Sequence, residues 1–232
     1  MILLAIDTAT EACSAALLID NELIERYEVA PRRHNELILP MVQSVLDEAG
    51  LSLAALEGIA FGAGPGSFTG IRIAAGVVQG LALGLGIKVA PISTLKAMAF
   101  EAFRQNPHEL AAMAIDARMG EIYWGVYRRE ADGTPCCLIE DQVIRPDEVL
   151  FPDGEQLIGV GTGWATYGDL LMTKVNHRHS VIEPQTFPKA SAIARLGAVL
   201  ISQKAGVCPE AVLPFYLRNN VAKKTAERFR VE

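Results

Sequence analysis

A surplus of positive charge is the first thing this sequence lacks: 21 lysines and arginines face 27 aspartates and glutamates, for a net charge of -6 over 232 residues. Proteins that grip nucleic acid unaided carry a basic excess that displaces counterions, so any role on RNA needs a partner. Cysteine is scarce too. Cys13, Cys136, Cys137 and Cys208 form no C-x-x-C pair, which excludes zinc-ribbon and thioredoxin-like patterns and leaves reduced thiols. The histidines at 34, 108, 177 and 179 are too scattered for the H-E-x-x-H or H-x-x-x-H spacing of a helix-borne metal pair, so no metal is expected. Ser67 lies in P-G-S-F-T and makes no G-x-S-x-G nucleophile elbow. A free-standing peptidase thus has neither nucleophile nor metal to work with. The opening MILLAID reaches Asp7 without a basic region, unlike a signal peptide, and the apolar stretch 73–87 is short and glycine-rich. No membrane contact is expected, and the expected location is the cytoplasm.

What is present is apolar: half the residues are hydrophobic and 21 % are charged, enough to build one domain or two small ones. Residues 2–6, 13–19 and 23–29 are short apolar or alternating runs separated by turn residues, a pattern that predicts three strands. Residues 34–50 predict a helix, with Asn35 as its N-cap and Gly50 as its terminator. GIAFGAG reads as a buried strand, residues 68–84 as a second helix and KVAPI as a further strand. LAAMAIDARMGEIYWGVYRR then partly repeats MILLAIDTATEACSAALLID, with Asp116 standing where Asp7 stood. A strand at 156–160, a helix after Gly163 and a helix at 190–203 complete a second half that reads as a diverged copy of the first. The expected organisation is two lobes, 1–105 and 106–232, with the tail packing back on the first.

GAGPGSFTGIR, residues 62–72, holds four glycines between a strand and a helix. Such loops cradle phosphates because bare amides and the helix dipole converge there. It has no Gly-Lys-Ser/Thr ending, so it is no P-loop, and it lacks the spacing of a dinucleotide fingerprint. Two readings stand. In one, Asp7, Thr8, Gly64, Gly66, Ser67 and Arg72 are the remnant of a nucleotide site. In the other, Gly64 and Gly66 let the strand turn, Pro65 stiffens it, and Ser67 or Thr69 caps the helix.

A duplicated βββαβα unit with an aspartate ending each first strand resembles the actin-like ASKHA superfamily, a ribonuclease H-like α/β fold with nucleotide between its lobes. AIDTAT, RRHNELILP, FGAGPGSFTGIR and AIDARMGEIYWGVY together resemble the bacterial TsaB (YeaZ) family along nearly the whole chain. The resemblance implies a non-catalytic scaffold in threonylcarbamoyladenosine modification of tRNA beside the anticodon. Its implied partners are the catalytic paralogue TsaD and the ATPase TsaE, with tRNA met only through the complex, and a homodimer when alone. It implies no cofactor of its own, with ATP or ADP confined to the joint with TsaD and TsaE. The alternative is an ASKHA enzyme that binds or hydrolyses ATP between its lobes, but the turn after Asp116 has no glycine before Gly120. GVGTGWATYG, 159–168, falls where the superfamily's adenosine loop would be.

Two helices carry the partner expectation. Gly76, Gly80 and Gly84 recur every four residues on one helix face. Each costs roughly 1 kcal/mol against alanine, about 3 kcal/mol together, so a close neighbour is expected there. In the first helix, Leu37, Leu39, Met41, Val42 and Leu46 widen the apolar arc beyond what one sheet-facing side needs. The basic tail, with Arg218, Lys223, Lys224, Arg228 and Arg230, reads as a solvated helix.

Overall fold

The computed structural model describes residues 1–152, 156–175 and 181–218. Strands β1 (Ile2–Asp7), β2 (Ala12–Ile19) and β3 (Glu22–Val29) lead into α1 (His34–Ala49), β4 (Gly58–Gly64), α2 (Phe68–Leu85) and β5 (Lys88–Ser93). They form one sheet in the order β3-β2-β1-β4-β5, with β1 antiparallel to β2 and parallel to β4. Helix α3 (Thr94–Gln105) follows. The second half then supplies β6 (Leu110–Arg118), β7 (Glu121–Arg129), β8 (Pro135–Ile144), β9 (Leu157–Val160), α4 (Thr162–Lys174), β10 (Val181–Glu183) and α5 (Ala190–Ser202). Its sheet runs β8-β7-β6-β9-β10, the same order as the first. The internal repeat is therefore a repeat of topology, although no helix matching α1 separates β8 from β9 among the described residues.

Both faces of both sheets are covered, which is why their central strands read as continuous apolar runs. In β1, Leu4 and Ile6 face α1 and α2, while Leu3 and Ala5 face α5. In β6, Ala111, Met113 and Ile115 face α3, while Leu110, Ala112 and Ala114 face α4. This alternation is the period of two that a strand imposes.

The strands divide where the sequence repeat divides, but the helices cross over. Helix α3 follows the first sheet yet buries Leu95, Met98, Ala99 and Phe103 against the second. Helix α5, from the second half, returns to the first sheet. It lies so close that a Cβ on Gly197 would come within 2.4 Å of the Ala60 Cβ. The chain then stays on the first lobe: Val207 pairs with Val89, Val212 enters its core, and the Phe215 N–H donates to the Ala63 carbonyl at 2.7 Å.

Three local readings are corrected. Helix α1 is capped at Arg33, whose carbonyl accepts from Glu36 and Leu37, so Asn35 sits inside the first turn and caps nothing. Helix α3 had no place in the sequence reading, although Leu95, Met98, Ala99, Ala102 and Phe103 carry helical spacing. Of the glycines at 159–168, Gly159, Gly161 and Gly163 serve packing. A Cβ on Gly161 would lie 2.4 Å from the Ala114 carbonyl oxygen, and one on Gly163 2.8 Å from the Ala114 Cβ, so they let α4 close on β6. Trp164 locks that contact by donating from Nε1 to the Ala112 carbonyl at 2.9 Å. His177, His179 and the tail beyond Arg218 lie outside the described residues. Helix α2 has the length and apolarity of a membrane-crossing helix, but its inner face, Ile71, Ala74, Val78 and Ala82, is committed to the first core.

Candidate functional site

The glycine loop is already occupied, and its occupant is the protein's own backbone. A Cβ on Gly62 would sit 1.8 Å from Asp7 Oδ2, one on Gly66 2.2 Å from the Ala9 carbonyl oxygen, and one on Gly70 2.0 Å from the Thr8 carbonyl oxygen. Three glycines spaced four apart thus make room for the β1–β2 turn. Hydrogen bonds fasten it. The Ser67 N–H donates to the Ala9 carbonyl at 2.7 Å, and Thr8 Oγ1 donates to the Gly70 carbonyl at 2.7 Å. Ser67 caps α2, its hydroxyl accepting from the Gly70 N–H. Gly64, at φ 110°, turns the chain ahead of the cis Gly64–Pro65 bond. Changing Gly70 to Ala is therefore expected to destabilise the chain by about 3 kcal/mol, despite alanine's better helix propensity, because the Thr8 backbone cannot retreat. A denaturant midpoint equal to the parent's refutes that.

Asp7 is fully buried beneath this turn. Its Oδ1 accepts from the Ala9 N–H at 3.1 Å, and its Oδ2 has no partner among the described residues. Burial pushes its carboxyl up to about 7, against the pull of the Ala9 hydrogen bond. The nucleotide reading of Asp7, Thr8 and Gly64 is corrected accordingly: none of the three lines the cleft between the lobes, whereas Gly66 and Ser67 do. Asp116 does reach that cleft. It accepts from the Arg118 N–H at 2.8 Å and pairs with the Arg118 guanidinium at 2.8 Å. The turn after it uses Arg118 (φ 63°) and Met119 (φ 58°) in left-handed conformations, followed by Gly120.

The cleft measures about 680 Å³ and is walled by the β1–β2 turn, the start of α1, the glycine loop, the β6–β7 turn and residues 215–218. Arg72 does not line it; its guanidinium lies 3.5 Å over the Phe68 ring and its Nε donates to Tyr216 Oη at 2.8 Å. Arg218 crosses to the second lobe and pairs with Glu121. Arg118 also reaches Glu11, on the first lobe, at 3.6 Å. His34 lines the cleft while only 8 % exposed, and its Nε2 is buried without a partner among the described residues. The sequence reading missed Arg32, His34, Arg118 and Tyr216 as cleft residues. The left-handed backbone at Arg32 (φ 69°) and Arg118 leaves no mark in residue type, and the crossing of the C-terminal segment is a tertiary event.

A second surface lies on the outer side of the first lobe, where α1 and α2 touch. Gly76, Gly80 and Gly84 are exposed on it, and a Cβ added at any of them meets nothing within 4 Å among the described residues. Leu39 and Leu83 are more than half exposed beside them. Leu37 and Met41 are half-buried. Val42 and Leu46 do not belong to this surface: they are sunk in the first core, because the side of α1 that carries Ile38 and Val45 also carries them.

Paired five-stranded sheets of identical order, with helices on both faces and a cleft at the joint, define a duplicated α/β protein of the actin-like ASKHA class. Residues 19–226 match the family described as TsaD: tRNA N6-adenosine threonylcarbamoyltransferase. The chain is 42 % identical over 230 residues to the tRNA threonylcarbamoyladenosine biosynthesis protein TsaB of Escherichia coli, covering 97 % of each. It is 40 % identical to the protein of that name from Haemophilus influenzae, covering 96 % of this chain and 95 % of that one. YeaZ from Pseudomonas aeruginosa has a TM-score of 0.87 at 42 % identity, over 93 % of this chain and 99 % of that one. A second solved structure with the same TM-score is titled as similar to "peptidase YEAZ". The chain belongs to the TsaB (YeaZ) family.

Proposed function

We propose that this chain is a non-catalytic scaffold in the formation of threonylcarbamoyladenosine beside the anticodon of tRNAs that read codons beginning with A. The supporting observation is the division between its two surfaces. The loop that would hold a nucleotide's phosphates is filled by residues 7–9, while the outer face of α1 and α2 leaves a glycine ridge uncovered among the described residues. Helix glycines that nothing among the described residues approaches are a standing cost of about 1 kcal/mol each. A partner helix seated on the ridge offsets that cost by close packing.

The partner on this reading is TsaD, the paralogue that does the transfer; a second copy of this chain takes the same face in its absence. TsaE docks on the pair, any ATP or ADP sits at that joint, and tRNA is met through the complex in the cytoplasm. The relatives' names support the pathway, and the sealed position of Asp7 supports the absence of chemistry here. Nor does Ser67 offer a peptidase nucleophile, since its hydroxyl is directed to the α2 cap.

The test is transfer of threonylcarbamoyl from its adenylate to tRNA by TsaD, with this chain omitted or added. Transfer is expected only when the chain is present. Full transfer by TsaD alone overturns the scaffold reading.

A further inference from the structure

The mouth of the cleft is bridged by the chain itself. Val212 is buried in the first core, and the Phe215 N–H donates to the Ala63 carbonyl, near the end of β4, at 2.7 Å. The Phe215 carbonyl oxygen stands 3.0 Å from where a Cβ on Gly64 would lie, so the segment runs directly over the glycine loop. Tyr216 is fixed to α2. Its Oη accepts from Arg72 Nε at 2.8 Å, and the Arg72 guanidinium lies over the Phe68 and Tyr216 rings at 3.5 and 5.5 Å. All of these anchors are on the first lobe. Two residues later Arg218 is on the second, paired with Glu121 at the start of β7 and 3.5 Å from the Arg118 carbonyl oxygen.

This crossing has no slack. Two residues of fully extended chain span at most about 7 Å, so the lobes cannot part at this end of the cleft without breaking either the Tyr216 anchor or the Arg218 pair. The Arg218 and Glu121 side chains are 17 % and 35 % exposed, and a guanidinium–carboxylate contact withdrawn from water to that degree holds better than one on open surface. A second tie runs the other way. Arg118, in the β6–β7 turn, reaches back to Glu11 in the β1–β2 turn at 3.6 Å while Asp116 holds it at 2.8 Å. The same turn keeps Arg118 and Met119 in left-handed conformations, φ 63° and 58°, whose cost to non-glycine residues contacts elsewhere must offset. Away from the mouth, the lobes are joined through the exchanged helices α3 and α5. Lobes joined by crossing segments alone are free to open and close about a hinge, the usual way a two-lobed cleft admits a ligand.

We propose that residues 215–218 are a strap that locks the two lobes at a single opening, with the Arg218–Glu121 pair as its clasp and the Arg118–Glu11 pair as a second tie across the same mouth. The cleft is then a fixed joint instead of a hinge, and the second lobe is held at one angle to the face of α1 and α2. The strap is a property of the isolated chain and does not depend on the docking face or on TsaD.

Double electron–electron resonance on the full chain tests it. Asn35 in α1 and Ala165 in α4, both exposed, carry the spin labels, one on each lobe, with the exposed Cys136, Cys137 and Cys208 changed to serine. One narrow distance distribution is expected while the clasp is intact. Arg218→Ala and, independently, Glu121→Gln are each expected to broaden it and to move its mean to longer distance by a few ångströms, within the roughly 7 Å that the strap bridges. Arg218→Lys, which keeps the charge, is expected to stay narrow, and circular dichroism of each variant is expected to match the parent's. A distribution already broad before any clasp residue is changed overturns the proposal, as does one left unchanged in both Arg218→Ala and Glu121→Gln. Broadening in Arg218→Ala with Glu121→Gln still narrow removes the ion pair as the clasp.

Discussion

Replacing Gly76, Gly80 and Gly84 together by alanine is expected to raise the melting temperature of this chain while weakening its hold on TsaD. Each substitution removes a helix-interior glycine worth about 1 kcal/mol, and nothing among the described residues lies within 4 Å of the new methyl groups. The fold should gain about 2 to 3 kcal/mol, which for a chain of this length corresponds to roughly 5 to 10 °C. The same methyls stand where a partner helix is proposed to approach. The larger Gly80→Leu change should leave the chain folded and lower TsaD affinity by about 100-fold, roughly 3 kcal/mol of overpacking at the interface. Thermal melts together with binding measured by calorimetry or sizing decide this. If Gly80→Leu binds TsaD as the parent does, α2 is not the docking face. If it unfolds, the ridge is covered by the chain itself.

Asp7→Asn is expected to remove a large part of the pH dependence of stability and to leave tRNA modification intact. An aspartate carboxyl in the unfolded chain releases its proton near 3.8, whereas in the fold Asp7 keeps it to about 7. Below 3.8 both states hold the proton, and this group's contribution to stability is fully present. As pH rises towards 7 the unfolded state alone gives the proton up, and stability falls by about 4 kcal/mol before levelling. Asparagine is neutral throughout and keeps an oxygen for the Ala9 N–H. Urea unfolding between pH 4.5 and 8.5 should therefore show the variant losing less stability than the parent as pH rises, and overtaking it near neutrality. Parallel curves refute the buried neutral carboxyl. If the assembled variant instead fails to support threonylcarbamoyl transfer, Asp7 has a chemical role and the filled cradle is a state that opens.

Much of the architecture was legible from residue order alone, for a local reason. In β1 and β6 the buried runs ILLAID and LAAMAIDAR end in an acid and a turn, and a strand covered on both faces admits almost nothing but apolar side chains. A helix end was legible where glycine adopts the left-handed conformation, as at Gly50. Another was misread where the cap was a backbone carbonyl alone, as at Arg33. The sequence shows a wide apolar arc on α1. Spacing cannot say, however, that Val42 and Leu46 turn inward while Leu39 turns out, because that depends on the angle at which the helix meets the sheet.

The candidate site divides in the same way. Sequence by itself determined that residues 62–72 form a strand-to-helix turn rich in close approaches, since four glycines, a proline and a serine capable of capping fix that locally. Which atoms make the approach was decided only in three dimensions. The β1–β2 turn, some sixty residues earlier, enters the cradle and displaces the ligand that the motif suggests. The glycine ridge of α2 is likewise written in the sequence as spacing. Its openness belongs to the fold, in which α3 and α5 exchange lobes and residues 207–216 return to the first lobe without covering it. Local order sets what each segment can form, because backbone preference and side-chain periodicity act over a few residues. Long-range packing selects which surfaces remain open, because that choice depends on contacts between segments far apart in the chain.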